Sequence, residues 1–459
     1  MSFDNKTIYS LASAKGRAGV SIIRISGEQS GHILTTLTDK PLPPSHQAKI
    51  RDLYKPNKSN NENKVKIDKA LVLWMPAPDS FTGEDVVELH VHGGVAVQDA
   101  VFQVLEKFEQ ARHAEAGEYS RRAFENQKLD LTEVEGLNDL IWAETEAQRI
   151  QALRQMEGSL GQLYESWRQR LLKAQAFYEV NIDFSDEDIP ESLEKVARPE
   201  IKSVLDQIHQ HLQDHKQGQQ LRRGFQVVIV GEPNVGKSSL LNILANEDVA
   251  IVSHIAGTTR DTISVRMDLG GYPVTITDTA GIRDTENEIE QEGVRRALQR
   301  AKDADLRVYM LDATKNLQNH NDIINKFSDD CDAQTIIVFN KCDLAVDTKL
   351  DGGCDKRESS FSVSAKTGYG IDKLIKALES LVVSSLSIGQ NPSITRARHR
   401  EYLEECSSGL ERFLSNESQD PALLAEDIRI AIRALGKITG RVDVEDMLDV
   451  IFGEFCIGK

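Results

Sequence analysis

The sequence predicts a multidomain chain of α/β and α parts: an α+β N-terminal domain, a discontinuous helical bundle, and an α/β domain inserted into that bundle. Three observations carry this. A chain of 459 residues is too long for one ordinary core. Residues 225–230 form a short apolar run leading into Gly231-Glu232-Pro233-Asn234-Val235-Gly236-Lys237-Ser238-Ser239, after which an apolar-rich helix starts. Helical periodicity flanks that α/β region on both sides. The expected spans are 1–120, 121–222, 223–383 and 384–459.

The first span reads as mixed α and β. Residues 20–26 and 69–75 look like strands, with a polar loop or hairpin tip at 55–64 between them. Residues 86–92 alternate, with Val87, Leu89 and Val91 on one side and Glu88, His90 and His92 on the other, and Gly93-Gly94 ends the strand. The polar side admits a metal reading and a ligand pocket in which Glu88 meets a donor edge. Solvated polar faces are common opposite a core face, which weighs against the metal.

From Thr132 to about residue 184 the pattern is helical, with Leu160, Leu163, Trp167 and Leu171 at helical spacing and Pro190 as the interruption. A second helix places Ile201, Val204, Leu205, Ile208 and Leu212 on one face. The Gln-rich stretch 211–221 reads as a helix tail or linker, and 384–392 as a linker by composition. Beyond it Leu403, Cys406, Leu410 and Phe413 share a face. Asp420 and Pro421 make an N-cap and first-turn proline ahead of Leu424, Ile428, Ala431 and Leu435. Asp443 is the expected cap of a last helix with Leu448, Ile451, Phe452 and Phe455 inward.

Composition narrows the setting. Hydrophobic content of 40% and charged content of 28% suit a soluble chain, and no apolar run spans a bilayer. The N-terminus has neither a charged n-region nor an apolar h-region, so no signal peptide is expected. Five cysteines without a C-x-x-C pair fit free thiols in a reducing cytoplasm. The net charge of −17 excludes whole-molecule attraction to nucleic acid, so an RNA contact needs a local patch or a partner's surface. The basic run 396–400 is a weak candidate, because such runs at helix starts are usually solvated.

The inserted domain carries five motifs in order. In the first, G-x-x-x-x-G-K-[ST], the glycines let successive N–H groups of Asn234, Val235, Gly236, Lys237, Ser238 and Ser239 face phosphate oxygens. Lys237 is expected on the β and γ phosphates and Ser238 on Mg²⁺. Next, Ser253, His254, Ile255, Ala256, Gly257, Thr258 and Thr259 form a loop that a triphosphate orders, with Thr259 offering its hydroxyl to Mg²⁺. A strand then ends in D-x-x-G: Asp278, Thr279, Ala280 and Gly281. Another ends in N-K-x-D, where the Asp343 carboxylate accepts the N1–H and exocyclic amine of guanine beside Asn340 and Lys341. Adenine lacks that donor pair, so GTP is the expected nucleotide. Ser364, Ala365 and Lys366 complete the base contacts. The whole reads as a P-loop GTPase domain of Ras-like α/β type. Where many GTPases put a water-orienting Gln after D-x-x-G, this chain has Ile282, so another group, such as a carboxylate of the acidic stretch 283–292, must position water.

By itself this domain resembles the Era-like branch of translation GTPases. Stretches 16–27, 81–88, 117–124 and 128–131, with the ending Phe455-Cys456-Ile457-Gly458-Lys459, resemble the tRNA modification GTPase family MnmE (TrmE). That resemblance implies an N-terminal tetrahydrofolate-binding and dimerising domain, a homodimer, and an FAD-dependent partner, MnmG (GidA). Together they place an aminomethyl or carboxymethylaminomethyl group on the wobble uridine of certain tRNAs, with the folate as one-carbon donor. It also implies potassium-dependent hydrolysis on GTPase-domain dimerisation, with Asn234, Ser253, Ile255 and Thr258 about the ion. Glu290 matches the water-positioning glutamate, with Glu286, Glu288 and Glu292 as near competitors. Arg24, Glu88, Lys128 and Lys459 match the folate pocket, which favours the ligand reading of Glu88. Cys456 is either a nucleophile near the one-carbon donor or a packing residue of the tail. The rival reading, an Era-like regulatory GTPase of ribosome assembly without one-carbon chemistry, leaves the N-terminal span and the tail without a purpose.

Overall fold

Period-two alternation near the N-terminus builds one sheet, and near-continuous apolar runs in the middle build a second. The computed structural model describes residues 6–56, 65–183, 192–213, 215–247, 249–251, 264–278, 304–315, 334–345, 359–386, 393–415, 421–442, 445–455 and 457–458. Packing divides the chain into two units. One is Met1–Asn138 with Gln155–Ala197 and Asn416–Lys459; the other is Asp139–Arg154 with Arg198–Ser415.

In the first unit, β1 (Thr7–Leu11), β2 (Val20–Ser26), β3 (Lys49–Tyr54), β4 (Lys66–Met75), β5 (Val86–His92) and β6 (Ala111–His113) are ordered β3-β4-β5-β2-β1-β6. Only β1 and β6 pair in parallel. Val87, Leu89 and Val91 are buried as expected. They share a core with Ile23, Ile25 and Val72 and with α1 (Ser30–Thr38) and α2 (Val95–Leu105), which supply Ile33, Leu34, Leu37, Val101 and Val104. The 55–64 loop lies mostly outside the described residues, but β3 and β4 flank it as an antiparallel pair, closed by the Lys55 N–H on the Val65 carbonyl at 2.9 Å.

The helical run from Thr132 breaks into α4 (Leu131–Trp142), α5 (Glu146–Met156) and α6 (Ser159–Asp183), with Gly158 at φ 84° before α6. Leu160, Trp167 and Leu171 are buried, and Tyr164 takes the inward place expected of Leu163. Helix α6 packs on α12 (Pro421–Thr439), which buries Leu424, Ile428, Ala431 and Leu435. A last helix, α13 (Glu445–Gly453), joins Leu448, Ile451, Phe452 and Phe455 to Leu131 and Val134. Pro190 and the expected caps Asp420 and Asp443 lie outside the described residues. Short helix α3 (Glu118–Glu125) is tied down by a buried ion network: Glu118 accepts two bonds from Arg112 at 2.8 Å and one from Arg122 at 2.9 Å.

In the second unit, β7 (Phe225–Gly231), β8 (Ser264–Leu269), β9 (Tyr272–Asp278), β10 (Leu306–Asp312), β11 (Gln334–Asn340) and β12 (Ser359–Ser362) follow the order β12-β11-β10-β7-β9-β8. All neighbours are parallel except β8 and β9. The chain winds from β7 to β9 on one side, then to β10 on the other, so the order reverses at β7; such a switch point opens a crevice at the strands' carboxyl ends. Helices α9 (Lys237–Ala245) and α10 (Ile371–Leu386) cover this sheet with Leu240, Leu241, Leu374 and Leu378.

One linker expectation needs correction, and the choice between helix tail and linker for 211–221 falls to helix. Residues 384–386 continue α10, because Leu374, Leu378, Val382 and Leu386 recur every fourth residue and all bury. The stretch 211–221 closes α7 (Ser192–Gln213) and enters α8 (His215–Arg223), where Leu221 is buried. On α7, Ile201, Val204, Leu205 and Ile208 bury as expected, facing α11 (Ala397–Ser415) with its buried Leu403, Cys406, Leu410 and Phe413. His209 meets Ser407 there at 2.8 Å. Among the described residues no helix is long and apolar enough to cross a membrane.

Candidate functional site

Parallel pairing brings the motif residues to one edge of the second sheet: β7 ends at Gly231, β9 at Asp278 and β11 at Asn340, and Ser364 follows β12. The loop after β7 turns through positive φ at Asn234 (61°) and Gly236 (103°). A Cβ on Gly236 would collide with the Asn340 amide, so only glycine lets these two loops approach. Helix α9 opens at Lys237 with its unpaired N–H groups towards the loop.

Lys237 is 6% exposed, and its ammonium donates to the carbonyl oxygens of Gly231 and Glu232, both at 2.9 Å. Burial lowers its pKa, with the Asp278 carboxylate opposing. The Ser238 hydroxyl donates to Asp278 Oδ2 at 2.7 Å. Asn340 staples the first loop to the last: its amide donates to the Val235 carbonyl at 2.8 Å and its oxygen accepts the Ala365 N–H at 2.9 Å. The Ser364 hydroxyl donates to Asp343 Oδ1 at 2.7 Å and holds that exposed carboxylate in place. Ser239 and Lys366 are exposed beside these loops.

Asp312 belongs to this group although no motif marks it. It ends β10 directly opposite Asn340 in the β10–β11 register, and its Oδ2 lies 2.7 Å from the Lys341 ammonium. Burial works against its charge, but the bonds from Lys341 and from the Thr314 hydroxyl and N–H hold its carboxyl down at about 2. The available signal was a carboxylate ending a buried strand next to the N-K-x-D strand. Ser253, His254, Ile255, Ala256, Gly257, Thr258, Thr259, Thr279, Ala280, Gly281, Glu290, Cys456 and Lys459 lie outside the described residues.

In the first unit Arg24 and Glu88 are cross-strand partners on β2 and β5. The guanidinium meets Glu88 Oε1 at 3.0 and 2.9 Å and lies over the Phe81 and Tyr119 rings. His90 reaches Glu88 Oε2 at 3.3 Å, while His92 turns to Asp68 at 2.7 Å. The face expected to offer three ligands is thus split between two carboxylates. Among the described residues no group of His, Cys, Asp and Glu is arranged to hold a metal. Lys128 donates to the Pro78 carbonyl at 2.9 Å, at the base of the loop that carries Phe81. The tail docks on the same unit: Ile457 bridges to Ala116, and Gly458 sits against the Leu11 carbonyl.

A doubly wound sheet whose carboxyl edge gathers Lys237, Ser238, Asp278, Asn340 and Asp343 defines a P-loop GTPase, an enzyme that hydrolyses GTP. Comparison with known proteins narrows this. Residues 7–128 match the family model described as GTP-binding protein TrmE N-terminus, and 131–456 that of the MnmE helical domain. The chain is 50% identical over 456 residues to the tRNA modification GTPase MnmE of Parvibaculum lavamentivorans, covering 99% of this chain and 100% of that protein. It is 43% identical to the mitochondrial 5-taurinomethyluridine-[tRNA] synthase subunit GTPB3 of Danio rerio, covering 99% and 93%. Among solved structures, the G domain of the T. maritima FeoB iron transporter matches 35% of this chain and 98% of that one, at 22% identity and a TM-score of 0.26. The chain belongs to the MnmE family of tRNA modification GTPases.

Proposed function

We propose that this chain couples GTP hydrolysis to modification of the wobble uridine of certain tRNAs. It works as a cytoplasmic homodimer with the FAD-dependent partner MnmG (GidA), and adds an aminomethyl or carboxymethylaminomethyl group. The reading assigns folate binding and dimerisation to 1–120, GTP hydrolysis to 223–383, and one helical domain to 121–222 with 384–459. The observation that carries the GTP part is Asp343, fixed by Ser364 on the edge where Lys237 and Ser238 meet.

Each described side chain has a task suited to its surroundings. Lys237 exchanges two carbonyl acceptors for phosphate oxygens, and its buried charge gains a partner when nucleotide binds. Asp343 reads guanine, with Asn340 and Ala365 keeping the base-side loops in register. Ser238 and Thr259 would hold Mg²⁺, which supplies charge against the phosphate oxygens. The Ser238 hydroxyl converging on buried Asp278 suits that ion. Asn234, Ser253, Ile255 and Thr258 would hold K⁺, and the exposed Asn234 on the loop rim is a fitting oxygen donor. Glu290 positions the attacking water that Ile282 cannot.

Arg24, Glu88, Lys128 and Lys459 would hold the tetrahydrofolate, which supplies the one-carbon unit. Glu88 suits a pterin's donor edge because Arg24 takes only Oε1, and Oε2 keeps acceptor capacity beside His90. The test is GTP turnover by the full chain in potassium and in sodium, for the wild type and Glu290→Ala. Turnover should need potassium and fall by about two orders of magnitude or more in the variant, with GTP binding kept. Equal rates in both salts, or an unaffected variant, would remove the potassium and glutamate assignments.

A further inference from the structure

The chain carries a net charge of −17, yet one cleft in the second unit brings three arginines together, each of them also paired with a carboxylate. Its volume is about 490 Å³, and its charged lining is Arg222, Arg223, Arg266 and Glu144. The walls come from the α4–α5 corner, the end of α8 and the β8–β9 hairpin. Arg223 gives one terminal nitrogen to Asp305 at 2.7 Å, and Arg266 gives one to Glu144 at 3.1 Å. A guanidinium has five N–H donors, so both arginines keep donors for a ligand, and their side chains are 49% and 56% exposed. Arg222 lies alongside with its Nε on Asp139 at 3.1 Å.

The cleft is also lined by Trp142, 49% exposed, together with Pro273 and Thr275. Trp74 and Trp167, the other two tryptophans, are 8% and 2% exposed. An open indole next to half-exposed guanidiniums is the pairing that single-stranded nucleic acid uses: the ring takes a base and the arginines take its phosphate. An acidic peptide would use the arginines and leave the indole uncovered.

We propose that this cleft binds an RNA strand, with a phosphate on Arg223 and Arg266 and the adjoining base stacked on Trp142. The RNA is the tRNA of the proposed function, and the inference rests on that reading. Its position matters for the nucleotide cycle. Ile251 lines the cleft and its N–H donates to the Arg266 carbonyl at 2.8 Å, so bound RNA touches both residues between which the stretch carrying Thr259 runs.

The test titrates the full chain, loaded with GDP, with an unmodified tRNA transcript at several salt concentrations, reading anisotropy and acrylamide quenching of tryptophan. Binding should shield Trp142 from acrylamide. Trp142→Leu should weaken binding about tenfold. Arg223→Gln combined with Arg266→Gln should flatten the salt slope by about 2. GTP turnover in all variants should match the wild type, which establishes that they fold. Turnover-competent variants that bind tRNA as tightly as the wild type overturn the cleft assignment. If such variants still support wobble-uridine modification with the partner, the proposed function stands without the cleft. A wild type that neither binds tRNA nor supports modification overturns both. Quenching by GMP as strong as by tRNA at equal concentration would give the cleft to a free nucleotide and also overturn the RNA assignment.

Discussion

Asp312 ends β10 opposite Asn340 of β11. Its carboxylate fixes the Lys341 ammonium, and Lys341 sits at φ 66° directly after Asn340. Removing the charge releases a base-side lysine without touching the phosphate end. Asp312→Asn should therefore raise KM for GTP about tenfold and leave kcat nearly unchanged, by steady-state turnover. The same substitution has a pH signature. Folding lowers the Asp312 pKa from 3.8 to about 2, so its contribution is complete above pH 4 and is lost as pH falls through about 2. The stability gap between wild type and variant should close over that window, and a constant gap would remove the ion pair from the account. At this scale Lys237, Ser238, Asp278, Asn340, Asp343 and Ser364 were legible because each motif ends a strand-like run. Asp312 was not, because its meaning depends on the register of two parallel strands. Glu118 and Arg122 lie in the stretch 117–124, and their buried charge network becomes visible once Arg112 on β6 is placed beside them.

Among the elements, α3 and α13 meet at a point that excludes a side chain. Gly117 stands at φ 67° before α3, and a Cβ there would lie 2.5 Å from the Phe452 carbonyl oxygen on α13. Gly117→Ala should destabilise the chain by about 1–3 kcal/mol, read as a lower urea midpoint. Gly94→Ala is the control: Gly94 has φ −77° and nothing within 4 Å of an added Cβ, so its midpoint should hold. A Gly117 variant as stable as the control would mean that α13 shifts freely. Helices with full apolar faces, such as α11 and α12, were readable from spacing alone. Helices α1 and α2 escaped because they are short and their burial depends on the sheet beneath them. The end of α10 was misread because Ser384 and Ser385 look like linker residues, while Leu386 completes a buried stripe.

Over the whole molecule, the order of domains was legible from where the nucleotide motifs interrupt helical periodicity. The grouping of 139–154 with 198–415 was not, since it rests on contacts between distant stretches, such as the Ala147 N–H on the Gly271 carbonyl at 3.0 Å. The central claim joins the two chemistries: the carboxyl-edge site spends GTP, and that expenditure supports modification of a tRNA. The measurement that tests it most directly is nucleoside analysis of a tRNA transcript incubated with the full chain, the proposed FAD-dependent partner, the proposed one-carbon folate donor and a nucleoside triphosphate. Asp343→Asn exchanges the acceptor that reads guanine's amine for a group that suits xanthine. The account predicts that the wild type yields modified uridine with GTP, that the variant fails with GTP, and that xanthosine triphosphate restores the product in the variant. Equal product from the variant and the wild type in GTP would contradict it.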